Sequence, residues 1–116
     1  LRIAFSHGGG ALGSIIGRMD TGWELTEGFG GSMAEAPSAA VRKMFFDSNV
    51  LDPAYLSYLA KEVAPGRIFL GTDYPYLIRQ QDPAQLISNL SLSDHEVRSL
   101  RCGAAEAFLG ETFGHD

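Results

Sequence analysis

Three apolar runs in this sequence stop on side chains that can do chemistry. LRIAF is followed by Ser6 and His7, RKMFF by Asp47 and Ser48, and RIFLG by Thr72 and Asp73. An imidazole and a carboxylate brought to one rim suit metal ligation or general acid–base work. Each also has a plainer use. A histidine after a strand can be a hydrogen-bonded structural residue, and Asp73 can cap a turn ahead of Pro75. Asp47 reads as a residue bonding its local backbone. Arg18 alone fits a solvated helix face. His95 at a helix start and His115 in the tail carry no chemistry in this reading, and Trp23 and Phe29 read as packing.

His7 opens the stretch HGGGALGSIIGR, whose glycine triplet, Gly8 to Gly10, costs conformational entropy and needs a geometric reason. The backbone must turn sharply there, or something must approach it closely. Lipase-type hydrolases use HGGG to present oxyanion-hole amides, together with a G-x-S-x-G nucleophile elbow. The nearest approach to that elbow is GGSMA around Ser32, which ends on alanine and lies in a loop. The context argues against a serine hydrolase.

The elements that must position these groups alternate. LRIAFS reads as a strand buried on both faces, because it is a continuous apolar run bounded by glycines. Leu12, Ile15, Ile16, Met19 and Trp23 then recur at helical spacing. Residues 26–40 have no clear period and read as a long loop. RKMFFDS is the second strand. Asp52-Pro53 starts a helix with Tyr55, Leu56, Leu59, Ala60 and Val63 on one face. RIFLG is the third strand, Asp82-Pro83 begins a short helix through Leu90, and Ser93 with Glu96 makes a capping box for the last helix. Such alternation implies an α/β fold with a parallel sheet and helical crossovers. Sites in such folds assemble at the carboxyl ends of the strands.

With 116 residues the chain is about one small domain, and it opens on Leu1, directly into a strand-like run. Three parallel strands make a poor independent sheet, so the expectation is a piece of a longer α/β protein. The net charge of −5, without a basic cluster, argues against nucleic acid or anionic membranes as partners. Cys102 is the only cysteine, so no intrachain disulfide or thiolate metal cluster can form, and a reducing cytoplasm is the default compartment. No apolar run approaches the roughly 20 residues of a membrane helix.

Taken in order, SHGGGALGSIIGR, FFDSNVLDP, RIFLGTDYPY and AAEAFLG resemble the last third of the amidohydrolase-related, metal-dependent decarboxylases. The resemblance covers nearly the whole chain. It implies the C-terminal strand–helix units of a TIM (β/α)8 barrel holding one divalent ion, usually zinc. It places Asp73 as a metal ligand and His7 as the general acid/base over the metal-bound water. It also implies that Arg18 reaches across a homodimer to bind the carboxylate of a small substrate. Two departures stand out. There is no H-x-H pair and no further histidine of the right context, so three of four ligands would have to come from an upstream segment. Ala104 stands where that family often has asparagine. The expected activity is non-oxidative decarboxylation of an unsaturated or aromatic acid. A related hydratase, a C–O or C–N hydrolase, or a non-catalytic remnant serving in assembly remain as alternatives.

Overall fold

A computed structural model of the chain describes residues 2–25 and 33–114. Three short parallel strands lie side by side in chain order: β1 (Ala4–Phe5), β2 (Phe45–Asp47) and β3 (Ile68–Phe69). Phe5 pairs with Phe46, which pairs in turn with Ile68, while Asp47 pairs with Phe69. Parallel neighbours cannot be joined by a tight turn, and helices carry the chain back. α1 (Leu12–Leu25) and α2 (Pro37–Val41) lie between β1 and β2. α3 (Pro53–Tyr58), extended by a π turn over Leu59–Val63, lies between β2 and β3. After β3 come α4 (Pro83–Ser88), α5 (Asp94–Arg98), a second π turn over Ser99–Gly103, and α6 (Ala104–Leu109).

The helix starts are those the local chemistry dictates. Asp52 Oδ1 accepts from the amides of Ala54 (2.9 Å) and Tyr55 (3.2 Å), and Asp82 Oδ1 from that of Gln85 (2.9 Å). The helical stripe after Pro53 enters the core: Leu56, Leu59 and Val63 are buried with Phe46, Ile68, Leu86 and Leu100. On the other side of β2, Phe45 is buried and meets Phe108 edge-on at 5.3 Å. Ala104 is fully enclosed in this packing.

Two expectations need correction. Within this chain taken alone β1 is not buried on both faces; Ile3 and Phe5 are 36% and 40% exposed. It is the edge strand, bonded only to β2, and no described element covers its outer side. The expected loop over 26–40 also contains helix α2, begun by Pro37 in the first turn. Asp20 of α1 docks it by accepting from the Ser38 amide at 2.9 Å. The Ser38 hydroxyl and amide together hold the Asp20 carboxyl below its usual value. Residues 26–32, with Phe29 and Ser32, lie outside the described residues, as does His115.

The capping box of α5 is complete. Glu96 Oε2 accepts from the Ser93 amide (2.7 Å) and hydroxyl (2.8 Å), and Ser93 Oγ accepts from the Glu96 amide (3.3 Å). The backbone and then the side-chain bond from Ser93 lower the Glu96 pKa. A depressed folded value means the cap's contribution is whole above the ordinary glutamate range and fades as pH falls through the depressed value. Glu96 is therefore expected to titrate at lower pH in the native protein than in a Ser93→Ala variant. Equal NMR titration midpoints would contradict this.

Candidate active site

Beyond the carboxyl ends of the strands lies an open cleft of about 750 Å3, and both His7 and Asp73 line it. His7 sits two residues past the end of β1 and Asp73 four past the end of β3. The remaining wall includes Asn49, Leu51, Leu77 and Ile78, so an apolar surface faces a few polar groups. Among the described residues, the non-glycines with left-handed backbone are His7 (φ 53°), Leu51 (φ 58°) and Asp73 (φ 62°). All three border this cleft. Such conformations cost about 1–3 kcal/mol each, persist only where the surroundings impose them, and gather at functional sites.

The glycines after His7 supply the surroundings. Gly8, Gly9 and Gly10 continue the left-handed path with φ of 58°, 76° and 61°. A Cβ on Gly8 would stand 2.4 Å from Val50 Cγ1, and one on Gly9 2.7 Å from the Phe46 ring. The triplet thus serves both needs: the turn, and close approach of backbone to core. Asp47 Oδ1 fastens it, accepting from the Gly8 amide (3.1 Å) and the Asn49 amide (3.0 Å). The reading of Asp47 as a backbone-bonding residue holds, and its reach extends to the neighbouring strand's loop. Ser48 Oγ likewise accepts from the Gly71 amide at 3.1 Å. Tyr55 and Tyr58 donate to the carbonyls of Gly10 and Gly13, tying the same stretch to α3.

Asn49 is the residue that sequence reasoning passed over. It is buried, one position beyond the Asp47-Ser48 pair. Its amide lies 3.3 Å from His7 Nδ1 on one side, and its Oδ1 accepts from the Gln80 amide at 3.2 Å on the other. It joins the imidazole to the loop that carries Asp73. The available signal was positional: a third polar side chain at a strand's carboxyl end.

Arg18 does not enter this cleft; it is exposed on α1. Trp23 is half-buried on α1 and donates to the Met33 carbonyl at 3.4 Å. His95 borders a smaller gap between the first π turn and α5, whose one acid, Glu96, is committed to the capping box. A divalent metal is implied by the resemblance. Among the described residues, no group of three or more His, Cys, Asp or Glu side chains could hold one. Asp73 is the single carboxylate on the cleft wall, so these residues alone do not make a metal site.

A family model described as amidohydrolase matches residues 1–110. The chain belongs to the amidohydrolase family. This amidohydrolase chain is 31% identical over 112 residues to 2-amino-3-carboxymuconate-6-semialdehyde decarboxylase of Dictyostelium discoideum, covering 95% of the chain and 31% of the relative. It is 34% identical over 88 residues to the Caenorhabditis elegans protein of the same name, covering 75% of the chain and 22% of that relative. The chain therefore spans a third or less of the curated relatives it matches. Among solved structures, 5-carboxyvanillate decarboxylase of Sphingomonas paucimobilis superposes with a TM-score of 0.81 at 25% identity, over 97% of this chain and 34% of that one. A manganese-bound dihydroxybenzoic acid decarboxylase from Polaromonas sp. JS666 superposes at 0.75 with 19% identity, covering 95% of this chain and 34% of that one, a likeness of fold alone. The three parallel strands and their crossover helices are part of a (β/α)8 barrel. No helix among the described residues is long and apolar enough to cross a membrane.

Proposed function

We propose that the full-length protein carrying this chain is a non-oxidative, metal-dependent decarboxylase of an unsaturated or aromatic carboxylic acid. One observation carries the reading: His7 and Asp73, both held in left-handed backbone, border the same cleft as the apolar Leu77 and Ile78. The relatives named as decarboxylases support the reaction class.

Decarboxylation breaks the bond between the carbon skeleton and its carboxylate. Carbon dioxide leaves, the electron pair stays on carbon, and a proton takes the vacated position. His7 is the group we assign to proton movement, a role contributing about 10²–10⁴-fold. Leu51, Leu77 and Ile78 suit the flat face of a conjugated substrate. Arg18 offers the planar guanidinium fork that a carboxylate accepts at two points. Exposed on α1 and outside its own cleft, it would serve the site of a second copy in a homodimer. Ile15 and Met19, close to it on the helix, are 44% and 36% exposed and would be covered by that contact. Asp73 would give one oxygen to a divalent ion, zinc in this reading, with the other ligands contributed from outside the described residues. The compartment that fits is the cytoplasm.

The test uses Asp73→Asn in the full-length protein, since asparagine tolerates the left-handed backbone at this position. The wild type is expected to carry a divalent metal and release carbon dioxide from aromatic or unsaturated acids. The variant is expected to lose more of both than the ~10–100-fold that outer partners of a metal cost. Metal and turnover retained together, or hydrolysis without carbon dioxide, would overturn the proposal.

A further inference from the structure

Asn49 presents a different end of its amide to each neighbour, and the backbone decides which end goes where. The Gln80 amide can only donate; it is shared between the Thr72 carbonyl (3.0 Å) and Asn49 Oδ1 (3.2 Å). Turning the Asn49 amide over would set its NH2 against that N–H and leave a buried side chain badly matched. The oxygen therefore faces Gln80, and Nδ2 faces His7 Nδ1 at 3.3 Å. An NH2 group is a donor only. It requires an acceptor, so Nδ1 must present its lone pair, and the neutral ring must carry its hydrogen on Nε2. Among the described residues nothing hydrogen-bonds Nε2, and His7 borders the cleft.

We infer that Asn49 is a positioning residue that fixes neutral His7 as the Nε2–H tautomer, so that the resting ring offers its substrate a hydrogen, first as a bond and then as the proton it moves. While the Asn49 bond stands, Nε2 has no free lone pair to receive a proton. A donor at that point aims at an oxygen, either of the substrate or of bound water, and taking up a proton at Nε2 must wait until the Asn49 contact changes. The two contacts bridge 42 and 31 positions of sequence, so one side chain sets both the ring and the loop after Asp73. This deepens the functional proposal and rests on it for what the donor acts upon. The tautomer itself does not depend on the reaction.

The experiment is 15N NMR of the histidine rings in the substrate-free full-length protein, with His7 assigned from its absence in His7→Asn. The wild type is expected to show a protonated Nε2 and an unprotonated Nδ1. Asn49→Asp keeps an oxygen toward Gln80 but puts a second acceptor against Nδ1, which should reverse the tautomer. Turnover should then fall by about 10²-fold or more with a smaller change in KM, as when a catalytic imidazole is held in the wrong tautomer. A wild-type ring protonated at Nδ1, or a tautomer indifferent to Asn49→Asp, overturns the inference, and the wild-type spectrum decides even if the variant does not fold. A reversed tautomer with unchanged turnover would leave Asn49's hold on the ring intact and remove His7 from the chemistry, which separates failure of this inference from failure of the functional proposal.

Discussion

Gly8→Ala is expected to destabilise the protein by about 2–5 kcal/mol, the sum of left-handed strain near 1–2 and overpacking near 1–3. Gly8 has φ 58° and ψ 22°, a conformation an L side chain adopts at a cost. The new methyl would fall 2.4 Å from Val50 Cγ1 and 2.7 Å from Leu59 Cδ1. Leu59 is fully buried and Val50 packs against the same core, so neither can swing aside freely. Moving the backbone instead would pull the Gly8 amide away from Asp47 Oδ1, and that bond holds the turn against β2. Gly110→Ala isolates the strain. Gly110 is also left-handed, at φ 77° and ψ 27°, but its methyl would meet only the flexible end of Arg2. Urea or thermal unfolding of the full-length variants should show Gly8→Ala as the more damaging by at least about 1 kcal/mol. Equal losses would mean that the packing of Gly8 against Val50 and Leu59 contributes nothing.

What could be read from the sequence was what depends on near neighbours. Asp52-Pro53, Asp82-Pro83 and the Ser93–Glu96 pair each act within one helical turn, and all three caps form as their residue types dictate. The shared cleft of His7 and Asp73 was legible because polar groups just past the strands of one parallel sheet lie on the same rim, here with β2 between the two strands that carry them. How much of β1 this chain itself covers was not legible. The run LRIAF states what could be covered, while coverage depends on which elements lie beside it. Asn49 and Leu51 were hidden for two further reasons. The role of Asn49 comes from contacts far away in sequence, and that of Leu51 from a backbone angle that a leucine does not advertise. α2 was obscured by its five-residue length and by a neighbourhood rich in small residues, although Pro37 marks its first turn.

His7→Asn is expected to lower turnover of the full-length protein by about 10²–10⁴-fold, the range that a positioned acid–base group contributes. Asparagine is the substitution of choice. It accepts the left-handed backbone at φ 53° but cannot exchange a proton, so the loss measures chemistry and not strain. Arg18→Ala should also impair turnover, by releasing the substrate carboxylate. Lysine should be a poor replacement, because its point charge lacks the two-pronged geometry. The two lesions should complement each other if Arg18 serves the opposite subunit. In a mixed two-fold dimer, one site carries both defects. The other combines His7 from the Arg18→Ala chain with Arg18 from the His7→Asn chain, and is whole. Random mixing of equal amounts makes about half the dimers mixed, each with one working site, so roughly a quarter of wild-type activity should return. That recovery has no other ready source, since neither parent dimer contains an intact site. Mixed dimers verified by differential tagging that remain as inactive as their parents would place Arg18 outside the chemistry of the neighbouring cleft.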